Sequence, residues 1–450
     1  MAFKSILNII PMVFHFVNAE FMSAPKLSTE PYKGTRDFYP EDMFIQKYIF
    51  EIMRKTVEQY GYVEYDASIL EETALYKAKS GSEIVDEQTY SFTDRGGRDI
   101  TIRPEMTPTV ARMVARKRKE LAFPLRWYSI PNLFRYERPQ RGRLREHWQL
   151  NVDVFGIESI DADVEAISVS YDIMKAFGAQ DESFKIRLNN RKLINFLLHE
   201  YFKLNHEDAY KLSKLIDRKL KMKEEVFLEQ SKEILGDRVQ AFLDFLAAKT
   251  LDQISPELQE NDGIEQLRLL MEKLEKRNIK NVVFDPSLMR GFDYYTGPVF
   301  EVYDTSPTNN RSLFGGGRYD DLVGIFNVEK VPGIGFGMGD VTIRDYLETY
   351  ELLPKYQSPT DLYICRLSAD QSEFIEELSH TLRKNGLNVI ADLSNRKLDS
   401  QIKSADKQGI PYIIVVGENE AKTKTFKLKN LQTRHEQEVT IENLPSIIKK

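Results

Sequence analysis

From residue 190 to about 277 the sequence becomes charged and helix-forming, while the segments on both sides of it carry strand patterns. This interruption limits the fold more than any other feature, because it reads as a helical insertion that makes a β-rich domain discontinuous. The insertion, 190–277, has heptad-like apolar spacing at Leu193, Ile194, Phe196, Leu197 and Leu198, and again at Leu267, Leu269, Leu270 and Met271. Its host is then 33–189 together with 278–350, where the strand pattern resumes at 281–285.

A chain of 450 residues is too long for one ordinary core. Within the host, 42–60 is an amphipathic helix ended by Gly61, and 62–70 follows as a strand. Residues 88–92 and 99–103 flank the glycine-rich turn 94–98 as a hairpin; 126–131 and 148–155 form a second antiparallel pair joined by a long polar loop. After a proline-containing linker, 351–360, residues 361–450 open with strand, helix, strand, helix, strand, which predicts a separate small α/β domain with parallel pairing. No G-x-G-x-x-G follows a strand there, so a dinucleotide role has no support.

The 63 basic and 69 acidic side chains leave a net charge of −6, so any nucleic-acid partner must meet a local basic patch. Cys365 is the single cysteine, which excludes an internal disulfide framework and a cysteine-based zinc site. His199, His206, His380 and His435 lack ligand spacing, so no metal site is expected. Lys4 precedes an apolar run, 6–17, that is too short to span a bilayer. Residues 1–32 are read as a leader region, of which the part before Met22 is dispensable, with Met22 opening the product; a secretory signal is the alternative.

Chemistry concentrates in a few segments. The stretch 288–303 sets Arg290, Tyr294 and Tyr295 on a glycine-punctuated turn before an alternating strand, either one wall of a small polar pocket or a hairpin with half-buried tyrosines. Gly315-Gly316-Gly317-Arg318-Tyr319 adds a second arginine and a third tyrosine where backbone can approach a ligand. The polar loop carries Arg135, Arg138, Arg141, Arg143 and Arg145; crowded guanidinium groups favour an anion between them, so the loop predicts a phosphate clamp rather than a solvated basic hairpin. Glu105 and Thr107, at a strand end, suit an ammonium group, and Gln149 and Asp153, four apart on one strand, share a face. Arg112, Arg116, Lys117, Arg118 and Lys119 read as a solvated helical face.

Taken together, Lys33-Gly34-Thr35-Arg36-Asp37-Phe38-Tyr39-Pro40, Arg103-Pro104-Glu105, Phe134-Arg135-Tyr136-Glu137-Arg138-Pro139-Gln140, the 290–295 segment and Gly316-Gly317-Arg318-Tyr319-Asp320 closely resemble the histidyl-tRNA synthetases. The Arg-x-Glu element alone would indicate only the wider class II aminoacyl-tRNA synthetases, whereas the Arg290 and Arg318 segments are particular to the histidyl branch. The resemblance implies an α+β fold: an antiparallel-sheet class II catalytic domain with a helical insertion, followed by a small α/β anticodon-binding domain. It implies an enzyme that joins histidine to its tRNA through a histidyl-adenylate, using ATP and Mg2+.

By the same resemblance, Arg135 and Arg290 are catalytic, Arg135 gripping the α-phosphate and Arg290 contacting both the histidine carboxylate and that phosphate. Glu105, Thr107, Gln149, Asp153, Tyr294, Tyr295 and Tyr319 surround the histidine. Glu137, Arg143 and Arg318 serve ATP, and Arg138 and Gln140 meet the acceptor end of the tRNA. Fixed guanidinium groups suit this reaction, since carboxylate attack on an α-phosphate brings two anions together and needs no side-chain nucleophile. One departure stands out: where the family has an arginine covering ATP, this chain has Thr342, and Arg344 lies about 200° around a helix from that position. Either the local register differs, or another arginine such as Arg318 or Arg143 supplies the charge.

The resemblance further implies a cytoplasmic homodimer with no membrane partner. The rival reading is a catalytically silent relative acting as a regulatory or tRNA-sensing subunit; such relatives generally lack the C-terminal domain and the 290–295 type of segment, both present here. A weaker third reading is a general RNA-binding protein.

Overall fold

The computed structural model describes residues 27–78, 88–219, 222–289, 294–309 and 311–449. Most of the leader, through residue 26, and Arg290 lie outside the described residues. The first long helix, Pro40–Gln59, starts with a proline in its first turn, where the missing N–H is harmless, and with Glu41 and Asp42 at the positive end of its dipole. It buries Ile49, Met53 and Val57 on one face, each worth roughly 1.5–3 kcal/mol. The strand expected at 62–70 forms only at Val63–Glu64, and Leu70–Glu72 belongs to a separate small sheet. Between them Asp66 accepts the Ala67 N–H at 2.8 Å and Ser68 the Leu70 N–H at 3.1 Å, local bonds that compete with a strand ladder.

A nine-stranded sheet organises the host domain. Its order is Val63–Glu64, Leu125–Ser129, Glu146–Phe155, Gly333–Gly339, Ser312–Arg318, Pro298–Asp304, Phe184–Asn190 and Val282–Phe284, with Asn132–Phe134 on the start of the long strand. The inner pairs are antiparallel, including the expected pairing across the polar loop; the two outermost pairs are parallel. The helices between 191 and 276 connect the parallel neighbours Phe184–Asn190 and Val282–Phe284, and a parallel pair requires such a crossover. One face of the sheet packs on Pro40–Gln59 and on Asp161–Ala176 through Ile167, Ile173, Val152 and Val154. The other face carries a second core of Val110, Val114, Phe155, Tyr294, Tyr295 and Tyr319, and this is the side that holds the site.

Glycines shape that side. Gly333–Gly339 pairs with Glu146–Phe155 so that Gly335 lies opposite Asp153 and Gly337 opposite Asn151. A Cβ at Gly335 would run into the Asp153 carboxylate, and one at Gly337 into the Gln149 amide, so glycine there is what lets both polar side chains lie across the sheet.

Residues 361–450 form their own five-stranded sheet, in which Leu362–Arg366 lies between Val389–Ala391 and Tyr412–Val416 and parallel to both. Two further strands, Thr425–Asn430 and Glu436–Thr440, extend it as an antiparallel hairpin that the sequence pattern did not reveal. The basic face of Thr107–Lys117 is less free than expected, because Arg112 pairs with Glu71 at 2.6 Å and Arg118 with Glu329. No helix among the described residues is long and apolar enough to cross a membrane.

Candidate active site

Two adjoining cavities open on the glycine-rich face. The smaller, about 110 Å³, is walled by Glu105, Thr107, Gln149, Asn151, Tyr294, Tyr295 and Tyr319. The larger, about 350 Å³, is walled by Arg135, Glu137, Arg143, His147, Arg311 and Thr342, among others. Arg135, Gln149 and Gly337 line both, so a ligand group at that junction touches either space.

The smaller cavity is held by its own hydrogen bonds. Tyr294 donates to Glu105 at 3.3 Å, and its ring meets that of Tyr319 edge-on at 5.9 Å. Gln149 donates to Asn151 at 2.8 Å. Tyr319 donates to Asp153, which lies behind the tyrosine rather than on the cavity wall. Burial pushes the Asp153 carboxyl up to about 7, against the opposing pull of the Tyr319 and Tyr65 hydroxyls. Its second oxygen and the Tyr65 hydroxyl make no fully aligned hydrogen bond among the described residues. Asn151, between Gln149 and Asp153 on the same face, was missed in the sequence; strand alternation was the signal that would have found it.

In the larger cavity Arg135 is aimed by its Nε bond to the Pro104 carbonyl at 2.9 Å, and Arg143 pairs with Glu137 at 2.9 Å. The expected five-arginine clamp therefore contributes two members. Arg145 is spent on the Tyr32 hydroxyl, the Glu137 carbonyl and the Tyr136 ring, while Arg138 and Gln140 lie exposed on the loop. His147 stays neutral there: burial and the surrounding Arg135, Arg36 and Arg143 lower its pKa to about 3. Asp340, directly after the glycine strand, is buried and accepts from Arg36 at 2.7 Å, Gln46 at 3.0 Å and the Trp148 N–H at 2.9 Å. It anchors the 33–40 segment to the sheet, a role the sequence did not disclose.

Arg318 requires a correction. Its guanidinium does not line either cavity; it is buried against Asp163, with Nε 3.1 Å from Oδ2, and also donates to Asp320 and to the carbonyls of Ile157 and Ser159. Gly317 faces Tyr295 on the site side, so alternation sends Arg318 to the opposite face, where helix Asp161–Ala176 supplies its carboxylate. Arg344 likewise pairs with Asp42 at 2.9 Å and Glu348 at 3.0 Å and lines a neighbouring groove instead.

Known proteins share this layout. Residues 34–341 match the family model described as histidyl-tRNA synthetase, and 361–450 match the one described as anticodon binding domain. A histidine--tRNA ligase of Leptospira biflexa is 45% identical over 92% of this chain and 96% of its own length. One from Thermoplasma volcanium is 37% identical over 94% and 99%. The fold superimposes on the crystal structure of histidyl-tRNA synthetase from Nostoc sp. PCC 7120 with a TM-score of 0.78 at 24% identity, covering 94% of this chain and 99% of that one. With a family model matching 34–341 and relatives this similar over nearly their whole length, the chain belongs to the histidyl-tRNA synthetase family.

Proposed function

We propose that this chain attaches histidine to its tRNA in two steps, with the amino acid held in the smaller cavity and ATP in the larger. The observation that carries this reading is Arg135 on the wall common to both, where a carboxylate from one side and an α-phosphate from the other would meet. The histidine carboxylate attacks the α-phosphorus in line, forming the mixed anhydride as the bond to pyrophosphate breaks. The terminal ribose hydroxyl of the tRNA then attacks the acyl carbon, and AMP leaves with the bonding pair. A fixed guanidinium at the junction stabilises the charge that gathers on the non-bridging oxygens without reorganising. Arg290 stands four positions before the wall residue Tyr294 in the sequence, and its role as second arginine at the carboxylate rests on the family pattern.

Glu105 and Thr107 suit the substrate ammonium. Gln149, Tyr294, Tyr295 and Tyr319, with Asp153 behind Tyr319, suit the imidazole; Glu137 and Arg143 suit the ATP side. Magnesium carried with ATP would neutralise part of the charge on its phosphates. Arg138 and Gln140, exposed at the loop edge, suit the tRNA acceptor end, and residues 361–450 suit its anticodon. A cytoplasmic homodimer completes the proposal.

Histidine-dependent ATP–pyrophosphate exchange by the purified full chain is the test. Exchange with histidine and not with other amino acids is expected; selective tRNA binding without exchange would instead favour the silent regulatory relative.

A further inference from the structure

Position 342 gives the larger cavity no cation. The Thr342 hydroxyl donates to the Leu313 carbonyl at 2.7 Å, and Arg344 and Arg318 are each neutralised by two carboxylates away from the cavity. Besides Arg135 and Arg143, one further arginine among the described residues lines that space: Arg311, which the sequence analysis did not single out.

Its surroundings differ from those of the other arginines. Arg143 is closely paired with Glu137, whereas Arg311 stands 3.4 Å from Asp345, a carboxylate it shares with Arg141 at 3.9 Å. Its second nitrogen donates to the Arg141 carbonyl at 2.7 Å. A guanidinium held by a carbonyl and by one long, shared carboxylate contact keeps more of its charge for a ligand than one clamped between two carboxylates.

Two local features place it. The pairing of Pro298–Asp304 with Ser312–Arg318 shifts register between Val302 and Tyr303, and at that irregular strand end Arg311, Ser312, Leu313 and Phe314 all line the cavity. Across the gap Gly142 has φ +69°, and a Cβ there would collide with the Arg311 guanidinium. Glycine at 142 tolerates this left-handed backbone and leaves the Arg311 guanidinium its place beneath the arginine loop; a side chain there would displace it.

We infer that Arg311 contacts the ATP triphosphate and supplies the cation that Thr342 does not. The inference rests on the reading that this chain activates histidine with ATP, and wild-type exchange tests that reading separately. In the exchange assay Arg311→Ala is expected to raise the KM for ATP about tenfold or more, the loss of a charge-assisted hydrogen bond, with the KM for histidine held. Arg311→Lys, which keeps the stem and the charge, should fall between, and Thr342→Arg in the Arg311→Ala background should recover part of the loss. Thermal unfolding of each variant separates loss of fold from loss of ATP binding; should Arg311→Ala not fold, the Arg311→Lys comparison decides. An active wild type whose folded Arg311 variants keep the KM for ATP within about twofold overturns the inference, as do an equal rise in the KM for histidine and a failure of Thr342→Arg to recover any of the loss.

Discussion

The smaller cavity, about 110 Å³, is walled by groups that already bond to one another or to the residues behind them: Tyr319 with Asp153, Tyr294 with Glu105, Gln149 with Asn151. The larger, about 350 Å³, is walled by arginines, one tightly paired and another loosely, around a neutral histidine. These are two solutions to recognition. A pocket of fixed, buried polar groups discriminates by shape and pairing, because a wrong ligand leaves donors and acceptors unmet. A cavity with preset positive charge discriminates little between anions, and it stabilises charge as it develops. Placing them side by side lets the first choose the amino acid and the second drive its activation.

The largest effect should come from the residue common to both. Arg135→Ala is expected to lower exchange by roughly 10²–10³, with histidine and ATP dependence both altered; a change confined to the KM for ATP would show that Arg135 belongs to one cavity. A smaller, one-sided effect is expected from Glu105→Gln, which keeps the shape and removes the charge. The KM for histidine should rise about 10- to 100-fold while that for ATP holds, and steady-state exchange would register any spread of the effect to ATP.

The smallest effect concerns stability. Because the Asp153 carboxyl titrates near 7 in the folded chain and near 3.8 when unperturbed, the folded state keeps this proton after the unfolded chain has released it. The resulting stability is full at low pH, fades as pH climbs between those values, and levels off above them. Denaturant unfolding across that window should show the wild type losing stability through this group as pH rises. Asp153→Asn should flatten that slope, and an unchanged slope would place the proton elsewhere.

Much of this was legible in the residues. Alternation located the antiparallel pair around the polar loop, the glycine-rich turn located the hairpin at 90–102, and the change of period at 190 located the crossover helices. The motifs named the family. The strand at 62–70 failed because Asp66 and Ser68 bond their own backbone, a competition that periodicity does not weigh. The C-terminal hairpin was hidden because its strands are largely polar and exposed on one face, so apolar alternation is weak there.

What the sequence by itself determined was the kit: two domains with a helical interruption, glycine-rich segments where backbone can approach a ligand, and arginines enough for a phosphate chemistry. Only the tertiary structure decided which arginines face the cavity. Arg311 and Arg318 sit near opposite ends of one strand; Arg318 is claimed by Asp163, 155 residues away along the chain, while Arg311 emerges beneath Gly142 into the arginine-lined space. The reason is physical. A strand's period fixes that neighbours point to opposite faces, but whether a guanidinium is neutralised or left for a ligand depends on carboxylates brought beside it from distant parts of the chain.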